Sequence, residues 1–390
     1  MASERLRLPA ELWIHIFQIA THHPLLHSVK YEPFDPCVHV AEEMHAEMLQ
    51  VKLAITLVCR SWRDMSLHML YEDVWFRHGD ASLGLALKGD PHAAEPGRGR
   101  WVRRATLPYS HTETVNPNPP RALLILHHCP ALEVLVRPWT GDDRLRFEFP
   151  TETVALPRLK RLDWWYHAAA ARSGGINSLD QVLQSAPSIE YLSLGGEMWL
   201  FSLHAHFELP RVKVLRLRRV NTLFVVQIAK WTMPALTHLL LECPLHPDSM
   251  ENLWEALGPT LRCVEFGSHI GFTFDDQLSL ALRQCPCVEE LNYYLFFTMR
   301  LARTQTHESL RRVGLHALQN DAIYPSINGA PNFPHIEAHF YAYPTERFPA
   351  LREFVLYGKE WRAFVEDQQF SDIVKVVEDS GRVIDISQIY

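Results

Sequence analysis

Histidine and cysteine side chains are the first residues of this sequence to suggest a metal site. The chain holds 22 histidines and seven cysteines. The closest groupings are His22-His23, His127-His128-Cys129 and Cys285-Pro286-Cys287. Structural zinc needs about four ligands at a recognisable spacing, such as two C-x-x-C pairs. None of these groupings has that spacing, so we expect no metal and no other cofactor.

Motifs that position a nucleophile or a phosphate are the second possibility. The sequence contains neither a G-x-S-x-G nucleophile elbow nor an H-E-x-x-H zinc motif. Gly174-Gly175 and Gly195-Gly196 do not belong to a glycine-rich phosphate loop. We therefore expect no catalytic residue in this chain, although a Ser, a His and an Asp far apart in sequence can meet in many folds.

A cluster of basic side chains raises the question of phosphate binding. Its members are Arg211, Lys213, Arg216, Arg218 and Arg219. The formal net charge of -7 and the pI of about 6.3 argue against a general nucleic-acid binder, which would carry a basic domain. The alternation of basic and apolar residues instead predicts a strand whose polar half faces away from the core.

Composition restricts the class of protein further. The 390 residues are 47% hydrophobic and 21% charged, as in an ordinary globular protein of two units. No segment approaches the roughly 18 to 20 apolar residues of a membrane span, and the first residues lack a signal-peptide pattern. We expect a cytoplasmic or nuclear protein. The cysteines are odd in number and scattered along the chain, so they do not suggest a disulfide framework. They resemble small buried hydrophobic residues.

One sequence motif recurs along most of the chain. It is a short run of the form x-L-x-x-L-x-L, usually preceded by a proline. Clear examples start at Leu156 and Leu209. The first apolar residues of ten such runs are Val102, Leu132, Leu159, Ile189, Val212, Leu236, Leu261, Val288, Leu310 and Leu351. We call these ten residues the repeat marks. Successive repeat marks are 22 to 30 residues apart, except for a last gap of 41 residues that holds an insertion. Each run predicts a strand.

Helical patterns precede several of these prolines, and proline ends them because it cannot continue the hydrogen-bond ladder. They cover residues 179 to 186, 250 to 257 and 276 to 285. The spacing resembles degenerate leucine-rich repeats, without the usual asparagine after the strand. This implies an α/β solenoid of inner parallel strands and outer helices. The alternative is a doubly wound α/β enzyme, which should carry a glycine-rich phosphate turn.

The repeat register predicts which side chains line the inner, polar side of the strands. They are Arg161, Asp163, Trp165, Tyr191, Arg216, Arg218, Glu265, Glu290, Asn292, Tyr294 and Tyr357. Mixed charge with exposed aromatic residues suits a protein partner better than a nucleic-acid backbone. A solvated sheet without any ligand is the other reading of the same residues.

The N-terminal residues 8 to 17, Leu-Pro-Ala-Glu-Leu-Trp-Ile-His-Ile-Phe, predict an amphipathic helix. Pro9 suits the start of a helix, and Glu11 lies at the positive end of its dipole. Apolar residues recur at helical spacing here and again around residues 57 to 63, Leu-Val-Cys-Arg-Ser-Trp-Arg. Together these stripes are too wide for one small helix to bury, so part of them must meet other helices or a partner.

The two motifs together resemble an F-box, the docking module of cullin-RING ubiquitin ligase substrate receptors. The resemblance covers residues 6 to 76 and departs from the family between residues 22 and 51, which we interpret as an insertion. It implies a non-catalytic subunit that binds a Skp-type adaptor and, through it, a cullin complex. The residues that it places at the adaptor are Leu8, Pro9, Leu12, Ile16, Phe17, Val58, Cys59 and Trp62.

The sequence thus predicts four parts. They are an F-box-like helical domain over residues 1 to 76, a linker over 77 to 100, a repeat domain over 101 to 357 and a C-terminal cap over 358 to 390. The implied function is substrate recognition for a Skp-cullin-F-box ligase, with an unknown protein target on the repeats. A non-ligase interaction scaffold and an α/β enzyme remain as alternatives.

Overall fold

The computed structural model describes residues 8–22, 28–35, 38–76, 81–89, 97–107, 125–139, 154–172, 174–198, 206–324 and 332–389. The chain divides into two compact units. The N-terminal unit contains Met1–Val29 and Asp35–Ile189, and the C-terminal unit contains Lys30–Phe34 and Glu190–Tyr390. Five residues near the N-terminus therefore belong to the second unit.

Three helices open the N-terminal unit. They are α1 (Ala10–Thr21), α2 (Val38–Val58) and α3 (Arg60–Glu72). Pro9 is the N-cap of α1, and its carbonyl accepts hydrogen bonds from the next turn. Cys59 separates α2 from α3 in an extended conformation, and its Sγ accepts from the backbone N–H of Trp62 at 3.5 Å. The cysteine of the motif therefore caps a helix.

Aromatic packing joins α1 to α3. The ring of Trp62 lies 4.8 Å from that of Trp13 and 4.7 Å from that of Phe17, between centroids. Phe17 is only 2% exposed, and Trp62 is half-buried. The spacing of Trp13 and Phe17 by one turn lets both rings meet the same tryptophan.

Helix α2 begins at residue 38, so the segment over residues 22 to 51 that we interpret as an insertion contains the first two thirds of this helix. The sequence shows an amphipathic pattern over residues 40 to 48 of this segment, but the full length of α2 does not stand out, because its buried positions include the polar residues His45, Lys52 and Thr56. These residues recur at helical spacing, but polar side chains give no hydrophobic stripe.

The buried polar side of α2 is anchored by one carboxylate. Asp73 accepts from Arg104 Nη1 at 2.9 Å, and its other oxygen lies 2.8 Å from His45 Nδ1. The side chains of all three are less than 10% exposed. Burial also lowers the pKa of Lys52 on the same helix, against the attraction of Asp73. The carboxylate thus connects α2 to the first two strands.

The described strands of the N-terminal unit are parallel and pair in chain order. They are β1 (Asp73–Trp75), β2 (Arg104–Thr106), β3 (Val134–Arg137) and β4 (Arg161–Tyr166). Helices α4 (Ala81–Lys88), α5 (Ala168–Ala171) and α6 (Leu179–Ser185) complete the unit. Asp73, Arg104, Val134 and Arg161 form one row across the sheet.

The predicted linker over residues 77 to 100 is partly regular structure. Helix α4 lies within it, and residues 98 to 101 form a 3₁₀ turn. Residues 77 to 80 and 90 to 96 lie outside the described residues. Gly99 is buried against the carbonyl of His128, where a Cβ would overlap backbone atoms. This glycine permits close packing, whereas the sequence suggested a joint.

The described strands of the C-terminal unit also run parallel in chain order. They are β5 (Tyr191–Gly196), β6 (Val214–Val220), β7 (His238–Leu241), β8 (Cys263–Phe266), β9 (Glu290–Tyr294), β10 (Arg312–His316), β11 (Glu353–Tyr357) and β12 (Val383–Asp385). Each connecting helix returns the chain to the adjacent position in the sheet.

The helices of this unit are α7 (Thr222–Ile228), α8 (Pro247–Leu257), α9 (Gln277–Gln284), α10 (Phe333–Phe340), α11 (Arg362–Val365) and α12 (Gln368–Asp379). Right-handed crossovers between successive neighbours put such helices on one side of the sheet. A doubly wound fold needs a reversal of strand order, and the described strands of this unit have none.

The strands predicted from the ten runs are confirmed, with each repeat mark just before its strand. Each of the ten marks lies two residues before a strand and is at most 4% exposed. Predicted helices over 179 to 186, 250 to 257 and 276 to 285 correspond to α6, α8 and α9. Within the predicted C-terminal cap over residues 358 to 390 lie α12 and β12, and β12 pairs with β11.

The apolar side of the C-terminal sheet contains one polar cluster. His339 on α10 is fully buried, with Nδ1 3.3 Å from the hydroxyl of Tyr293, which accepts from the Tyr343 hydroxyl at 3.2 Å. Burial lowers the pKa of His339 well below its ordinary value, and the nearby His335 and Arg300 lower it further. The imidazole is therefore neutral in the folded protein.

Replacing Asp73 should destabilise the N-terminal unit. In Asp73→Asn, Arg104 stays buried beside an uncharged amide, and loss of one partner of a buried ion pair costs about 3 to 5 kcal/mol. Urea denaturation measures the change in the free energy of unfolding. Asp64→Asn is the control, because its 3.8 Å pair with Arg63 is exposed and should contribute less than about 1 kcal/mol. Equal values for the two variants would contradict the anchoring role.

Acid should destabilise the C-terminal unit through His339. The unfolded chain binds a proton there below about pH 6.5, whereas the folded protein does not. The free energy of unfolding should fall as the pH drops below about 6.5, by up to about 1.4 kcal/mol per pH unit for this proton. Burial also lowers the pKa of His238, His307, His316 and His335.

The measurement is urea denaturation at several values between pH 7.5 and 5.5. In His339→Gln, the dependence of the unfolding free energy on pH should correspond to about one proton fewer. His246→Gln, at a side chain that is 61% exposed, should leave it unchanged. An unaltered slope in His339→Gln would show that His339 is protonated in the folded state.

Candidate functional site

Large apolar side chains lie exposed on the three-helix part of the N-terminal unit. On α1 and just before it they are Leu8, Leu12, Ile16 and Ile19, and at the end of α2 they are Leu57 and Val58. We call these six residues the apolar patch. Their exposed fractions range from 43% for Ile16 to 81% for Leu57. Exposed apolar residues clustered on one element indicate an interaction surface more often than isolated ones do.

The predicted adaptor residues separate into two groups. Leu8, Pro9, Leu12, Ile16, Val58 and Cys59 are exposed. Phe17 is buried and cannot contact a partner directly, because it fills the space between α1 and α3. Trp62 is half-buried on the same ring cluster. The sequence analysis missed Ile19 and Leu57, although Ile19 follows Ile16 at helical spacing.

A cavity of about 760 Å³ lies beside α1 and α3, within the N-terminal unit. Its charged lining includes Glu72, Arg103 and Glu133. Arg103 bridges the two carboxylates, at 2.6 Å from Glu133 and 3.5 Å from Glu72. Burial opposes ionisation of Glu133, but hydrogen bonds from Lys160 and Arg103 lower its pKa below the ordinary value. Because these charged side chains pair with one another, they do not indicate which kind of ligand the cavity would bind.

The polar side of the C-terminal sheet is the second candidate. Register pairs place its side chains in three rows across β5 to β11. One row holds Tyr191, Val214, His238, Cys263, Glu290, Arg312 and Glu353; the next holds Ser193, Arg216, Leu240, Glu265, Asn292, Gly314 and Val355. The third includes Tyr294, His316 and Tyr357. We call these three rows the polar sheet face.

Residues Lys30–Phe34 of the same unit lie on this face, and we call them the aromatic segment. The hydroxyl of Tyr31 donates to Glu265 Oε2 at 2.7 Å and accepts from Asn292 Nδ2 at 2.6 Å. The Tyr31 ring packs on Tyr191, Val214 and Leu240. Burial raises the pKa of Tyr31 well above its ordinary value, and the negative charges nearby raise it further, so the hydroxyl keeps its proton.

Phe34 makes the second attachment of the aromatic segment. Its backbone N–H donates to the same Glu265 oxygen at 3.0 Å. Its ring contacts those of Tyr294, His316 and Tyr357, with centroids 5.0 to 5.2 Å apart. The φ of Phe34 is +59°, a left-handed conformation that side chains other than glycine seldom adopt. Tertiary contacts therefore hold this residue in place.

The predicted target residues of the C-terminal unit do share one face, but several are buried. Tyr191, Arg216, Arg218, Glu265 and Asn292 are at most 7% exposed, whereas Glu290, Tyr294 and Tyr357 are partly exposed. The expectation that all of them line an open surface is wrong for the buried ones. Around Glu265 and Asn292, the aromatic segment covers the strands. Sequence analysis had placed those covering residues in an insertion of unknown role.

Three predicted target residues belong to the N-terminal unit. Arg161 donates to Asp163 at 2.9 Å and to the carbonyl of Ser28 at 2.9 Å, and lies 3.6 Å from Asp35. Arg161 and Asp163 are buried by these contacts. Trp165 is half-buried and meets the ring of Trp139 edge-on. Thus residues between α1 and α2 bind the side chain of Arg161, which was predicted to face a target.

Cys129 and Cys285 are buried thiols. Burial raises the pKa of Cys129 and of Cys285 to about 12, so these thiols are protonated at neutral pH and poor nucleophiles. Among described residues, no three His, Cys, Asp or Glu side chains are grouped to hold a metal ion. Within the same residues, no helix is long and apolar enough to cross a membrane.

No protein-family model matches this chain, and no curated protein matches it either. The two surfaces described above are therefore the features that bear on function. One is apolar and exposed on helices, and the other is polar and carries a segment of the chain itself.

Gly314 tests the geometry of the polar sheet face. A Cβ at this position would overlap the side chain of Asn292, which holds the Tyr31 hydroxyl. Gly314→Ala should displace that amide, destabilise the unit by about 1 to 3 kcal/mol and increase hydrogen exchange in residues 30 to 34. Gly84→Ala is the control, because its Cβ would meet Ile125 at an ordinary 3.7 Å. Unchanged exchange in Gly314→Ala would contradict the described contact.

Proposed function

We propose that this protein is a substrate-recognition subunit of a Skp-cullin-F-box type ubiquitin ligase. In this proposal the three helices α1 to α3 form the F-box and bind a Skp-type adaptor, and the strand array is a leucine-rich-repeat-like solenoid that receives a target protein. Catalysis belongs to other subunits, and this chain contributes by raising the local concentration of target lysines.

The single observation that carries the proposal is the apolar patch. Six large aliphatic side chains on a small helical unit remain exposed, although the aromatic cluster of Trp13, Phe17 and Trp62 is well packed beside them. Burying such side chains stabilises a complex by roughly 25 cal/mol per Å² of apolar surface. A partner that covers about 800 Å² could include all of them in one interface.

The helix junction supports the same reading. Cys59 and Trp62, from the motif that resembles an F-box, act as a helix cap and as a packing residue. Neither role needs a partner, but together they set the angle at which Leu57 and Val58 are presented. The motif residues thus divide into those that build the helical unit and those that are left for contact.

The strand array supports the repeat part of the proposal. Strands that pair only with their neighbours in sequence, at the spacing described above, are typical of solenoids. The absence of a reversal in strand order among the described strands of either unit disfavours the doubly wound enzyme.

Charge substitution in the apolar patch tests adaptor binding. Leu12→Asp/Ile16→Asp should reduce recovery of a purified Skp-type adaptor at least about tenfold, because a buried unpaired carboxylate is costly in an interface. Phe274→Asp is the control, since Phe274 is 69% exposed on the C-terminal unit. Thermal melting verifies that each variant folds.

Equal adaptor recovery by wild type and by the folded Leu12→Asp/Ile16→Asp variant would refute the docking surface. Recovery of a cullin together with the adaptor distinguishes a ligase subunit from an interaction scaffold. Adaptor binding without any cullin would favour the scaffold.

A further inference from the structure

We infer that the polar sheet face of the C-terminal unit is a peptide-binding groove, which the chain's own aromatic segment fills in the resting state. Its external ligand is a peptide with a tyrosine followed three residues later by a second aromatic residue. This inference rests on the proposed role of the repeats in receiving a target, but it does not require adaptor binding.

Glu265 sets the chemistry of the groove. One of its carboxylate oxygens accepts both the Tyr31 hydroxyl and the Phe34 backbone N–H. Glu265 is 5% exposed, so whatever occupies the groove must supply hydrogen-bond donors at this oxygen. Asn292, fully buried, donates to the hydroxyl from the opposite side. A phenol hydroxyl can donate a hydrogen bond to Glu265 and accept one from Asn292 at the same time.

The second subsite takes a flat ring. Tyr294, His316 and Tyr357 surround the Phe34 ring at centroid distances of 5.0 to 5.2 Å. Edge-on and tilted contacts of this kind favour an aromatic side chain over an aliphatic one. Pro33 and the positive φ of Phe34 form a turn that spaces the two aromatic residues correctly.

The occupant resembles a bound ligand more than a structural layer. It is five residues long, and its contacts include those of the Tyr31 and Phe34 rings and of the Phe34 backbone N–H. Phe34 adopts a left-handed backbone conformation, which is unfavourable for a phenylalanine. A peptide in trans that avoids this strain can compete with the segment, against an effective concentration in the millimolar range.

Negative charge around the phenol site excludes phosphotyrosine. Glu290 lies beside Glu265 in the adjacent strand and accepts from Asn292 at 2.7 Å. Arg312, a cation on the polar sheet face, already pairs with Glu353 at 2.7 Å and with Glu290 at 3.5 Å. A phosphate brings nearly two negative charges to these carboxylates. The groove should therefore select the unmodified tyrosine.

The experiment measures binding of a labelled synthetic peptide, Ser-Val-Lys-Tyr-Glu-Pro-Phe-Asp-Pro, to the full chain by fluorescence anisotropy. In the Tyr31→Ala/Phe34→Gly variant the groove is vacated, and glycine preserves the left-handed turn. This variant should bind the peptide at least about tenfold more tightly than wild type, because no internal segment competes. Peptides with phenylalanine or phosphotyrosine at the tyrosine position are the matched controls.

We expect the phenylalanine peptide to bind about tenfold more weakly, since the buried Glu265 and Asn292 then lose a partner. The phosphotyrosine peptide should show no binding at the same concentrations. Adding Glu265→Gln to the vacated variant should remove the difference between the tyrosine and phosphotyrosine peptides in part, because one of the repelling charges is gone.

Three results would overturn the inference. The first is a folded variant that binds no peptide, and the second is equal affinity for wild type and variant, which would place the peptide elsewhere. The third is loss of cooperative unfolding in the variant, which would make the segment a structural part of the unit. Adaptor recovery by the same variant is measured separately, so a failed groove and a failed ligase proposal give different outcomes.

Discussion

A strand in either unit presents every second side chain to the same side, and one of those sides is apolar along each described sheet. Such a strand is unstable alone, because its apolar side chains need the helix that follows and the strands on either side. The ten buried marks that precede the strands repeat this arrangement, and parallel pairing in chain order follows from short right-handed connections. The remaining, polar side has no such repeated partner. The unusual features of this protein are found there.

Each unit has a buried carboxylate that takes part in two hydrogen bonds on the polar side of its strands. Asp73 connects helix α2 to two strands through His45 and Arg104, and Glu265 binds the aromatic segment through a hydroxyl and a backbone N–H. A buried carboxylate without partners would be costly, so each one specifies what must lie on top of it. The covering elements therefore gain a defined position from hydrogen bonds where apolar packing alone would allow sliding.

Sequence periodicity was sufficient for the strands and for helices such as α8 and α9, because their buried side chains are apolar and evenly spaced. For α2 it indicated only an amphipathic pattern over residues 40 to 48, because the buried positions of this helix include His45 and Lys52. It also failed to reveal that Tyr31 and Phe34 cover the predicted target residues. The hydrogen bonds of Tyr31 and Phe34 to Glu265 alone join residues 234 and 231 positions apart, and nothing local in the sequence marks them. For the apolar patch, helical spacing identified most members, but only packing separates Phe17 from Leu12 and Ile16.

The position of the aromatic segment in the chain has a consequence for synthesis of the protein. Tyr31 leaves the ribosome 234 residues before Glu265, its hydrogen-bond acceptor. At about 5 to 20 residues per second, on the order of 10 to 50 seconds pass between the synthesis of Tyr31 and that of Glu265. During that interval the tyrosine and the phenylalanine are accessible to chaperones, to kinases and to other nascent chains. The final closure is a long-range step, slow by the topology of the chain rather than by the chemistry of the contact.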